Sequence, residues 1–178
     1  MSTDPVHRVH PASLDVDQLL QSVQTRRSRT GGPGGQHRNK VETAIELVHE
    51  PTGVTAFASE RRSQRDNKHM AIKRLRMNLA IEVRCPFTPT VESDAMPSEL
   101  WQARKQGSKV VCSDSHKDFP TLIAEALDII IALACDPKRA ATVLGISMSQ
   151  LIKFLKKEPR AIQLVNQRRQ QMGLHTLK

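Results

Sequence analysis

The stretch Thr30-Gly31-Gly32-Pro33-Gly34-Gly35-Gln36-His37-Arg38-Asn39-Lys40-Val41-Glu42-Thr43-Ala44 decides how this 178-residue chain is read. Four glycines and a proline fill positions 31–35, and such a run continues neither a helix nor a strand. It has no large side chain of its own with which to dock, so the expectation is an exposed, mobile loop. Two common glycine-rich devices are excluded. A phosphate-binding P-loop needs a Gly-Lys-Ser/Thr ending and an apolar strand feeding it, and the segment has neither. A dinucleotide-binding turn needs G-x-G-x-x-G spacing and a following acid, also missing.

Outward from this loop the chain regains periodicity. Before it, Ser22 to Arg29 reads as a strand through Val23 and Thr25, and Ser13 to Leu20 as a short helix with Asp15 and Asp17 in its first turn. After it, Glu42 to Glu50 alternates with Thr43, Ile45 and Leu47 on one face. Pro51-Thr52-Gly53 is a turn, and Val54 to Ser59 alternates again, so the pair predicts a β-hairpin. Ser63 followed by Asp66 signals a helix start, and the helix runs to about Val83. Its apolar stripe is Ile72, Leu75, Leu79 and Val83. A separate basic stripe comprises Arg65, His69, Lys73 and Arg76.

Pro86, Pro89 and Pro97 break the next stretch, which reads as a linker or irregular connection with a short helix around Ser98 to Gln106. The last third is helical. Asp118 and Pro120 open a helix carrying Leu122, Ala126, Ile129, Ile130 and Leu133 on one face. Pro137 begins a second, Gly145 suits a left-handed stop, Ser147 and Gln150 have capping-box spacing for a third, and Glu158-Pro159 precedes a fourth. The expected fold class is α+β: a small β-sheet packed by a long helix over 1–84, a connection over 85–117, and an all-α module of helix-turn-helix proportions over 118–178.

Charge narrows the partners. The chain carries 27 Lys and Arg against 18 Asp and Glu, a formal +9. The excess is concentrated in residues 21–84, at +7, and 126–178, at +6, with −2 between them. Two basic blocks point to two contact surfaces on one polyanion. A membrane is the weaker reading of that partner, because the longest apolar run, Ile129 to Cys135, is seven residues against the ~20 a spanning helix needs. Cys85, Cys112 and Cys135 are odd in number and widely spaced, which gives neither a disulfide framework nor a zinc motif, and a reducing cytoplasm is the default compartment.

Residues 31–44 closely resemble the signature of the GGQ domain of class I peptide chain release factors. The similarity continues through Pro51-Thr52-Gly53, Glu60-Arg61-Arg62-Ser63-Gln64 and Asn67 into the long helix. The resemblance implies hydrolysis of the peptidyl-tRNA ester in the peptidyl transferase centre of the large ribosomal subunit. Gly34 and Gly35 would then allow close backbone approach to the tRNA end. Gln36 would help place the attacking water, and its backbone N–H would donate to the developing oxyanion. Glutamine has no useful pKa, so its value must lie in position and hydrogen bonding, and no metal or cofactor is called for. His37 titrates near neutral pH but is read as a structural or RNA contact. Arg38 departs from the family's commoner apolar residue and adds charge at the loop base, where Asn39 and Lys40 anchor it or touch phosphate.

The size and layout are similar to the short, codon-independent rescue hydrolases, and a monomer suits entry to the tRNA site. Those proteins commonly end in a disordered basic tail. This chain instead ends in well-capped helices, with only Asn166 to Gln171 and Lys178 tail-like. Recognition is therefore expected through Lys153, Lys156, Lys157, Arg160, Arg168 and Arg169 on RNA. Two alternatives stand beside this: a non-catalytic ribosome- or RNA-binding protein, and a regulator reading DNA through Ala140 to Ser149. The second is weakened by Met148-Ser149-Gln150-Leu151, which has few long polar side chains for base edges.

Overall fold

The computed structural model describes residues 9–28, 43–85 and 97–178. They form two compact units, one over 11–83 and one holding 84–178 together with residues 9–10.

The first unit opens with a 3-10 turn, Pro11–Ser13, and the helix α1, Val16–Leu20. Asp15 caps α1 by accepting from the Gln18 N–H, so it stands one position ahead of the expected first turn. Three strands follow, β1 (Val23–Ser28), β2 (Ala44–His49) and β3 (Thr55–Ala58), in an antiparallel sheet of order β1-β2-β3. Ile45 pairs with Ala58 and Leu47 with Ala56, and all four are buried on the face covered by the helix α2, Gln64–Glu82. Alanines at 56 and 58 keep the sheet face low where the helix lies on it. The expected stripe of Ile72, Leu75 and Leu79 is buried, with Ala71 and Ala80 filling in, whereas Val83 is the C-cap and half-exposed. Ser63 caps α2 as its sequence implies, accepting from Asp66 N–H.

An edge strand leaves backbone acceptors open to unwanted pairing. Here α2 covers them: Arg74 donates to the Phe57 carbonyl at 2.7 Å and Asn78 to the Thr55 carbonyl at 2.7 Å. Glu60 holds the Arg74 guanidinium in place.

The β2–β3 turn carries a titratable group. His49 is 4% exposed and its Nδ1 lies 2.7 Å from Thr52 Oγ1. Burial pushes its pKa below the ordinary 6.5. The unfolded chain therefore takes up this proton first, and stability present above pH 6.5 is lost as pH falls through that value towards the folded pKa. The urea midpoint of the wild type is expected to fall more steeply than that of His49→Gln between about pH 7 and pH 5. Parallel curves would contradict the assignment.

The second unit comprises α3 (Glu99–Arg104), a minimal hairpin of β4 (Lys105–Gln106) and β5 (Lys109–Val110), then α4 (Phe119–Ala132), α5 (Pro137–Leu144), α6 (Met148–Leu155) and α7 (Pro159–Gln171). Its core joins Phe119, Leu122, Ile123, Leu127 and Ile130 of α4 to Leu144 and Phe154. The short helix expected around Ser98 to Gln106 is α3, Glu99–Arg104. Trp101 of α3 is fully buried, donates through Nε1 to the Leu144 carbonyl at 3.0 Å, and meets Phe154 edge-on at 5.8 Å. Gly145 ends α5 at φ +63°, and Ser147 caps α6 through Gln150 N–H, both as expected. Asp118 sits at the N-cap of α4 without capping it, because its carboxylate is taken by Arg104 at 2.6 Å. No helix among the described residues is long and apolar enough to cross a membrane.

Candidate functional site

The glycine-rich segment joins two strand ends that face each other. Ser28 is the register partner of Ala44, so the chain leaves the sheet and re-enters it at adjacent positions. Gly34, Gly35, Gln36, His37, Arg38, Asn39 and Lys40 lie outside the described residues. What the structure describes is the frame that carries them.

One end of that frame is tied by a buried amide. Asn67, in the first turn of α2 and 0% exposed, donates through Nδ2 to the Thr43 carbonyl at 2.6 Å and to the Arg61 carbonyl at 2.9 Å. Its Oδ1 accepts the Arg61 N–H at 2.9 Å. One side chain thus joins the residue before β2 to the residues that lead into α2. A buried amide is tolerated when satisfied in this way. Asn67 stands in phase with Ala71, Leu75 and Leu79, every fourth position on one helix face. A polar residue in an apolar register was the signal that could have marked it.

The basic stripe divides. Arg65, His69 and Lys73 are exposed. Arg76 is half-buried and donates to the Ala12 carbonyl at 3.0 Å, which makes it a tie between α2 and the N-terminal turn. The basic residues of the second unit divide in the same manner. Lys153, Lys156 and Arg168 are exposed. Lys157 donates to the Cys112 carbonyl at 2.6 Å, Arg160 pairs with Glu158 at 2.8 Å, and Arg169 donates to the Cys135 and His175 carbonyls. The tail-like residues are also ordered: Asn166 to Gln171 belong to α7, and Asn166 exchanges two hydrogen bonds with Leu177.

The helix-turn-helix corner is not open in the way a base-reading helix requires. The Ser147 N–H at the start of α6 donates to the Ser108 carbonyl at 3.0 Å, so the tip of the β4–β5 hairpin sits at the α6 N-terminus. Recognition helices present that first turn to the groove.

His10, Cys85 and Asp128 place one possible metal-ligand atom each within 4.8 Å of one another. The site is poor for a cation. Asp128 Oδ1 already accepts the Arg84 guanidinium at 2.8 Å and the Cys85 N–H at 3.3 Å, and burial pushes its carboxyl up to about 6.

Residues 13–113 match the family model described as the RF-1 domain, and the chain belongs to that family. It is similar to "Peptide chain release factor PrfB1, chloroplastic" of Arabidopsis thaliana, at 42% identity over 78 residues, covering 42% of this chain and 17% of that protein. It also resembles peptide chain release factor 1 of Caldicellulosiruptor bescii, 49% identical over 66 residues, covering 37% of this chain and 19% of the relative. Peptide chain release factor 2 of Variovorax paradoxus is 40% identical over 67 residues, covering 38% and 18%. The chain thus spans less than a fifth of the length of these curated relatives. The family match extends past the first unit to take in α3 and the β4–β5 hairpin.

Proposed function

We propose that this protein releases nascent peptide by hydrolysing the ester bond of peptidyl-tRNA in the peptidyl transferase centre, and that it does so without reading a stop codon. The observation that carries the reading is Gly34-Gly35-Gln36, set inside a release-factor family match and slung between the paired residues Ser28 and Ala44. The backbone N–H of Gln36 donates to the oxyanion of the tetrahedral intermediate, while its side chain positions water. No side chain at that position takes the proton, which passes to the substrate's own ribose hydroxyl and ordered water.

Binding is to ribosomal RNA of the large subunit, through His37, Arg38, Asn39 and Lys40 at the loop and through Arg65, His69 and Lys73 on α2. Lys153, Lys156 and Arg168 are exposed cations on the second unit. Point charges of this kind bind phosphates and carry no base sequence, which favours a codon-independent mode. The protein acts as a monomer in the cytoplasm, on stalled ribosomes.

The codon question has a direct test. Release is compared on ribosomes holding a labelled peptidyl-tRNA in the P site, with the message either truncated, continuing into a sense codon, or continuing into a stop codon. Release from the truncated complex that a stop codon does not improve is the expected result. Release confined to the stop-codon complex would overturn the rescue reading and leave a codon-dependent factor.

A further inference from the structure

A cavity of about 300 Å³ lies between the β5 strand with the residues that follow it and one face of α6, wholly within the second unit. Its lining includes Lys109 and Cys112 on one side and Gln150, Lys153, Phe154 and Lys157 on the other. Gln150, Lys153, Phe154 and Lys157 follow at helical spacing, so they share one face. Three lysines line this space, and no acidic residue does. Cys112 supplies no negative charge, since burial pushes its thiol up.

The lysines do different work. Lys157 is fixed: its Nζ donates to the Cys112 carbonyl at 2.6 Å and stands 5.8 Å from the centre of the Phe154 ring. Lys109 and Lys153 are exposed, and their ammonium groups make no hydrogen bond or ion pair among the described residues. Like charges drawn to one concave surface repel each other, and a bound anion relieves the repulsion.

We infer that this cavity seats a backbone phosphate of RNA, held between Lys109 and Lys153 against the fixed ammonium of Lys157. Gln150 is placed to donate to a phosphate or ribose oxygen. Three compact cations suit phosphate as point charges, and they give affinity without base specificity. Duplex DNA fits less well, because the hairpin tip at Ser108 occupies the first turn of α6. The inference rests on the ribosome-binding reading above and revises the basic residues expected from sequence alone, keeping Lys153 and Lys157. Lys109 enters; Arg160 and Arg169 leave, since neither lines the cavity and their side chains are engaged elsewhere.

The test uses the whole protein and a short fluorescent poly-uridine RNA, with a labelled DNA duplex as the second probe, titrated over a range of salt. Lys109→Gln/Lys153→Gln is compared with Lys138→Gln/Arg139→Gln, which removes the same charge from exposed positions on α5. Thermal melts establish that both variants fold. The cavity variant is expected to bind RNA at least about tenfold more weakly at low salt, and to lose about 0.7 from the log–log salt slope per lysine removed. The α5 variant is expected to lose less than half of that. Equal losses in the two variants, or none in either, would overturn the cavity, and tighter binding of duplex DNA by the wild type would overturn its assignment to RNA. Since RNA binding is read without peptide release, failure here leaves the hydrolase reading intact. Absence of release by the wild type leaves the cavity result standing.

Discussion

Gln36→Pro is expected to lower single-turnover peptide release by about 10²- to 10³-fold, with Gln36→Ala losing distinctly less. The order follows from where the hydrogen bond comes from. Loss of one preorganised oxyanion donor costs about 3–4 kcal/mol at the transition state. Proline removes the backbone N–H at 36, whereas alanine keeps it and removes only the side chain that positions water. Gly35→Ala is expected to fall with the proline variant, because a Cβ at 35 opposes close approach of the backbone to the tRNA end. Ribosome co-sedimentation, measured alongside, separates chemistry from binding. If Gln36→Ala were as inactive as Gln36→Pro, the amide side chain and not the backbone would carry the oxyanion.

Asn67→Ala is expected to destabilise the first unit by about 1–3 kcal/mol, since it removes the buried amide that pairs the Arg61 N–H and the carbonyls of Arg61 and Thr43 in a part-buried site. Asn67→Asp keeps the acceptor for Arg61 N–H and loses both donations. It also brings a charge into a position that is 0% exposed, so it is expected to be at least as damaging. Urea unfolding measures both. Release by whatever fraction remains folded should fall as well, because Thr43 is the anchor of the glycine segment on the β2 side. A midpoint unchanged from wild type in either variant would contradict the clamp.

Much of the fold was legible because its signals are local. The β2–β3 hairpin is written in two alternating runs around Pro51-Thr52-Gly53. Ser63, Gly145 and Ser147 each satisfy backbone groups within a turn of themselves, so their effects can be read from neighbours in sequence. Ties between side chains and distant backbone were not legible. Arg76 reaches Ala12, Trp101 reaches Leu144, Lys157 reaches Cys112 and Asn67 reaches Thr43, and no periodicity records such partners. That is why basic residues that look equivalent in sequence divide into exposed cations and structural ties. It is also why the short helix expected around Ser98 to Gln106 gave no sign that its Trp101 is anchored in the core of the helical unit. At the site, sequence marks the tripeptide Gly34-Gly35-Gln36 and the family match supports its setting, whereas the frame at Ser28, Ala44 and Asn67 became visible only in the fold.

The central claim is that water, directed by this protein, cleaves the peptidyl-tRNA ester. The most direct measurement is release from ribosomes stalled on a truncated message in ¹⁸O-labelled water, with mass spectrometry of the peptide and gel analysis of the tRNA. The account predicts free peptide carrying one ¹⁸O in its terminal carboxylate, together with deacylated tRNA, and neither product above background with Gly35→Ala. Peptide that leaves still esterified to tRNA, or that acquires no label, would contradict it.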